Sequence, residues 1–94
     1  CKVKIITVNP GKKLSYQRHR QRSERWTVVN GEATVLLDDK ISVHGEGAVI
    51  SIEKMQKHRL INNGIEILNI VEVQLGDYFG EDDIERFEDD YGRT

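Results

Sequence analysis

Gln17, His19 and Glu24 fall within eight residues of one another, and His58 and Asn62 follow much later in KMQKHRLINN. On a strand, Gln17 and His19 point to the same face because successive side chains alternate. Glu24 lies five residues on, past a short turn or bend, and can return a carboxylate to that face. With the imidazole of His58 added, the set suits a divalent ion held by four ligands, with positions left open for a substrate. Taken singly, either histidine reads better as a core residue bonded to backbone. The spacing with Glu24 is what favours a metal.

The elements that must carry these residues read as strands. KVKIITV, RWTVV, EATVLLD, KISVH, AVISIE, HRLIN and EILNIVEVQ alternate or run apolar over lengths suited to strands. Turn chemistry separates them at Asn9-Pro10-Gly11, Asn30-Gly31, Asp38-Asp39-Lys40, His44-Gly45-Glu46-Gly47 and Asn62-Asn63-Gly64. Short strands at near-even spacing predict an all-β sandwich or small barrel. DDIERFEDDYG alone looks helical, with Ile84, Phe87 and Tyr91 at i, i+3 and i+7. The expected organisation is a single domain over 1–94, with a β barrel in 1–75 and a tail carrying a short helix in 76–94.

Composition narrows the function classes. With 37% hydrophobic and 32% charged residues, the chain reads as a soluble protein, and its apolar runs are too short to span a bilayer. The lone cysteine, Cys1, excludes an internal disulfide framework and fits a reducing, cytoplasmic setting. Its terminal position suggests an excised domain more than a reactive thiol. Arg18, Arg20, Arg22 and Arg25 form a basic cluster, opposed by seven acidic residues between Glu81 and Asp90. Alternation sets Arg18, Arg20 and Arg22 opposite Gln17 and His19, at least until the chain bends. A solvated face paired with an acidic neighbour, or an anion site using one arginine, is favoured over nucleic acid, which the acidic tail repels.

These residues carry a family resemblance. Gly11, Gln17-x-His19, Glu24 and Gly31 resemble the first motif of the cupin superfamily, with Gln17 where histidine is usual. Gly47, His58 and Asn62 match the second, which departs at Glu53, where a proline is usual, and at Met55, where a glycine is usual. LSYQRHRQRSERWTVVNGEATV and the tail GDYFGEDDIERFEDDYGR resemble type II mannose-6-phosphate isomerases, over essentially the whole chain. The resemblance implies a cupin-type antiparallel jelly-roll barrel. It also implies membership in a larger protein with a mannose-1-phosphate guanylyltransferase domain, and the family's Arg-Pro-Trp-Gly segment stands upstream of where this sequence starts.

Carried over by position, the resemblance makes Gln17, His19, Glu24 and His58 metal ligands. Arg22 becomes the cation that holds the sugar phosphate or stabilises an enediolate, and Trp26 a core wall beneath the metal, while Arg86 in the tail either caps the barrel mouth, the favoured role, or contacts substrate. The ion expected is zinc, with manganese, cobalt, nickel and iron also compatible. The implied reaction is metal-dependent interconversion of mannose 6-phosphate and fructose 6-phosphate. Separately, the small core of a 94-residue chain favours a homodimer that buries apolar sheet surface. For the base, Lys13, His44 and Lys57 are the titratable options, each more readily explained as a surface residue. Two other readings stand beside this one. One is a non-catalytic sugar-binding or oligomerising cupin module, favoured by the lost Pro-x-Gly. The other is a cupin isomerase or epimerase of nucleotide-sugar metabolism, favoured by Arg20, Gln21 and Arg25, where the family often has histidines.

Overall fold

The computed structural model describes residues 1–87. Among these, the strands in chain order are β1 (Lys2–Val8), β2 (Gln17–Arg18), β3 (Arg22–Asn30), β4 (Ala33–Leu37), β5 (Lys40–His44), β6 (Val49–Ile52), β7 (His58–Ile61), β8 (Leu68–Gly76) and β9 (Glu85–Arg86). They form a four-stranded sheet, β1-β8-β3-β6, facing a five-stranded sheet, β5-β4-β7-β2-β9, with every pairing antiparallel. The all-β, two-sheet architecture read from alternation is therefore the one the chain adopts. The β4–β5 hairpin shows how local chemistry sets it. Leu37 pairs with Lys40 across a two-residue loop in which Asp38 and Asp39 both take positive φ, 46° and 69°. That is the backbone whose twist matches the flanking strands, and aspartate tolerates it.

A gradient along the two central strands places the site. The inward residues of β3 run Arg22, Glu24, Trp26, Val28, and those of β8 run Leu68, Ile70, Glu72, Gln74. Antiparallel register sets Val28 beside Ile70, Trp26 beside Glu72 and Glu24 beside Gln74. One end of the interior is therefore apolar, closed by Val8, Val28, Val35, Ile50, Leu60, Leu68 and Ile70. The other end is charged. Trp26, 2% exposed, stands at the boundary, which bears out its reading as a core wall.

The expected helix is not present in its described part. Asp82 and Asp83 lie in a turn, and Glu85–Arg86 form β9 against β2, pairing Gln17 with Arg86 and Arg18 with Glu85. An isolated helix of three turns is marginal in water, whereas the open edge of β2 offers ladder hydrogen bonds. Tyr91 and the remainder of that expected helix lie outside the described residues. No helix among the described residues is long and apolar enough to cross a membrane.

Candidate metal centre

The bend at Arg20–Gln21 builds the site. It ends β2 and starts β3, and these strands belong to opposite sheets. Gln17 and His19 therefore approach from one wall and Arg22 and Glu24 from the other. The basic cluster is split by the same bend. Arg18 stays outside, bridged to Glu85 at 2.7 Å, and Arg20 lies 3.9 Å from that carboxylate. This is the acidic neighbour anticipated from the tail. Arg22 instead turns inward and is buried.

His19, Glu24 and His58 converge, with one potential ligand atom from each lying within 4.8 Å of the others. His19 Nε2 is 3.5 Å from Glu24 Oε2, and His58 Nε2 is 3.9 Å from Glu24 Oε1. An ion about 2.0–2.2 Å from nitrogen and oxygen donors holds them roughly 3–4 Å apart, so the spacing fits. The tautomers fit as well. His19 Nδ1 donates to the Asp83 carbonyl at 2.5 Å, and His58 Nδ1 donates to the Gln56 carbonyl at 3.0 Å. Each ring therefore turns Nε2 toward Glu24, the arrangement that orients metal-binding histidines elsewhere. Burial lowers His58 to about 4, so it is neutral near pH 7 and ready to ligate. Gln17 pairs directly with His58 across β2 and β7 and lines the same cavity, of about 370 Å³.

Glu24 is held from two sides. Trp26 Nε1 donates to Oε1 and Arg22 Nε to Oε2, both at 2.9 Å. Arg22 Nη2 also donates to His19 Nε2 at 3.1 Å, while the buried Nη1 has no hydrogen-bond partner among the described residues. Asn62, the other residue of the second motif, is structural. Its Nδ2 donates to the carbonyls of Val8 and Glu66, and its Oδ1 accepts from Gly64 N. Arg86 is exposed and does not line the cavity. Neither do Lys13, His44 or Lys57.

Two residues of the site were not anticipated. Glu72 is buried, lines the cavity and accepts from Gln74 Nε2 at 2.5 Å. Burial, with the neighbouring Glu24 charge, raises its carboxyl above the ordinary glutamate range. The signal was present in EILNIVEVQ, where Glu72 and Gln74 share the apolar face of an alternating strand. Asp83 braces the bend, its carboxylate accepting from the backbone N–H groups of Arg20 and Gln21 at 3.1 and 2.9 Å. Its carbonyl is the one that orients His19, so the tail acts on the site through backbone geometry.

The chain resembles proteins of sugar-polymer biosynthesis. It is 53% identical over 92 residues to the alginate biosynthesis protein AlgA of Pseudomonas aeruginosa, covering 98% of this chain and 19% of that protein. It is 47% identical, with the same coverage, to the mannose-1-phosphate guanylyltransferase of Escherichia coli K12. The chain thus spans about a fifth of the length of these relatives. In fold it is similar to a conserved Klebsiella pneumoniae protein with a double-stranded β-helix domain, the cupin architecture. The TM-score is 0.81 at 23% identity, over 93% of this chain and 70% of that one. Residues 1–89 match the family model described as mannose-6-phosphate isomerase C-terminal, and the chain belongs to that family.

Proposed function

We propose that this chain is a metal-dependent sugar-phosphate isomerase that interconverts mannose 6-phosphate and fructose 6-phosphate. The observation that carries the reading is the convergence of His19, Glu24 and His58, with both Nδ1 protons tied to backbone carbonyls, inside a cavity of the mannose-6-phosphate isomerase C-terminal family. Gln17, His19, Glu24 and His58 would hold a divalent ion, zinc foremost, which supplies Lewis-acid polarisation of the substrate carbonyl. Neutral Gln17 in place of a second carboxylate keeps the centre more positive. Arg22 contacts two of the ligands themselves, so its charge serves the reacting oxygens at C1 and C2 more directly than a phosphate four carbons away. Among the described residues Glu72 is the one buried carboxylate lining the cavity outside the ligand set, and in this reading it carries the proton between the two carbons.

The reading also keeps a homodimer and a place within a longer guanylyltransferase-containing protein. The outward side of the four-stranded sheet exposes Val3, Ile5 and Val49, an apolar face suited to a second copy of the chain. Sedimentation equilibrium tests this, and a monomer at tens of micromolar removes it.

A coupled assay for fructose 6-phosphate, on chelator-stripped protein and after each divalent metal is restored, tests the activity. Metal-dependent turnover is expected, and Glu72→Gln is expected to lower it about 10²-fold or more while retaining bound metal. Absence of turnover with every metal, on folded protein, would leave the binding-module and different-substrate readings in its place.

A further inference from the structure

Arg22 makes its two polar contacts on atoms that the proposed centre needs. Its Nε donates to Glu24 Oε2 and its Nη2 to His19 Nε2. We infer that Arg22 and the metal ion are alternative partners of His19 Nε2, so that loading the centre releases the outer edge of the guanidinium for an oxyanion. This rests on the metal-centre reading above.

The argument is one of lone pairs. A neutral imidazole has a single acceptor nitrogen, and the Asp83 carbonyl, by accepting a hydrogen bond from Nδ1–H, fixes that acceptor as Nε2. Arg22 Nη2 already donates to it at 3.1 Å. Ligation by His19 uses the same lone pair, so the Nη2 donation must end. Glu24 is different, because a carboxylate offers about four acceptor sites. It can ligate and still accept from Arg22 Nε. The arginine therefore stays anchored at one point while Nη2 joins Nη1, which is buried without a hydrogen-bond partner among the described residues. Two buried donors without acceptors are unfavourable, and a planar N–H pair matches two oxygens of a single anionic group. Repulsion between the ion and the guanidinium acts in the same direction. Metal and anion then bind cooperatively, each raising the affinity of the other.

Zinc titration calorimetry on chelator-stripped wild type and Arg22→Met tests this. Arg22→Met is expected to bind zinc about tenfold tighter or more, because one charge-assisted hydrogen bond no longer has to be broken. Equal or weaker binding by folded Arg22→Met overturns the inference and leaves the centre standing. Wild type that binds no zinc overturns the centre and the inference together. Should circular dichroism show Arg22→Met unfolded, NMR of ¹⁵N-arginine-labelled wild type carries the test. One equivalent of zinc is expected to abolish the hydrogen-bonded signature of Arg22 Nη2. The signature persisting with zinc bound overturns the inference.

Discussion

His58 shows how burial prepares a ligand and what that preparation costs. Its imidazole titrates near 4 in the fold because it is desolvated, against about 6.5 in an unfolded chain. Between those values the unfolded chain takes a proton that the folded one refuses, so stability falls as pH drops from about 6.5 to about 4. The loss reaches about 3 kcal/mol at full extent. Glu72, whose carboxyl is raised, works in the opposite sense by favouring the fold at lower pH. The imidazole is isolated by comparing chelated wild type with His58→Gln in thermal melts from pH 7 to 4.5. Wild type is expected to lose melting temperature more steeply on acidification, and parallel slopes would remove the argument. The ligand types were legible in sequence because Gln17, His19 and Glu24 are close in the chain. Glu72 and Asp83 were not singled out, because each matters through a partner distant in sequence: Glu72 beside Trp26 in register, and Asp83 beneath the Arg20–Gln21 bend.

At the scale of the element, two backbone positions set the site. Gly76 ends β8 opposite Arg22 with φ 150°, and a Cβ there would stand 2.3 Å from the Gln21 carbonyl oxygen and 3.0 Å from Arg22 Cα. Gly76→Ala must push the bend outward, carrying Arg22 with it. A loss of about 2 kcal/mol or more is expected in denaturant unfolding, and a neutral effect would show that the bend is slack. Met55 is the converse case. It occupies the place where a glycine is usual in the second motif and still adopts φ 71°, with its N–H donating to the His19 carbonyl at 2.8 Å. The turn before His58 thus survives the departure from the motif, at the expense of a strained residue. Met55→Gly is expected to stabilise the fold by about 1 kcal/mol, read as a rise of about 4–8 °C in melting temperature. A fall would mean that Met55 packing outweighs its backbone strain. The strands and most turns were legible from alternation and Asp, Asn and Gly placement. The tail was misread because Ile84 and Phe87 share a helical spacing that an open sheet edge overrides.

Across the whole molecule, the barrel separates its tasks by ends. Apolar residues at one end supply a core, and the charged end gathers His19, Glu24 and His58. Stability and metal binding are therefore expected to be separable, which is what allows the site to be tested by mutation without losing the fold. The chain spans about a fifth of the length of its relatives, and His19, Glu24 and His58 converge within these residues. The most direct test is cobalt titration followed by visible absorbance, on chelator-stripped wild type and on Glu24→Gln. One equivalent bound by the wild type, with binding lost or weakened at least about tenfold in Glu24→Gln and an unchanged far-ultraviolet circular dichroism spectrum, is the predicted result. Equal stoichiometric binding by both proteins, or none by the wild type, would contradict the assignment of His19, Glu24 and His58 as a metal centre.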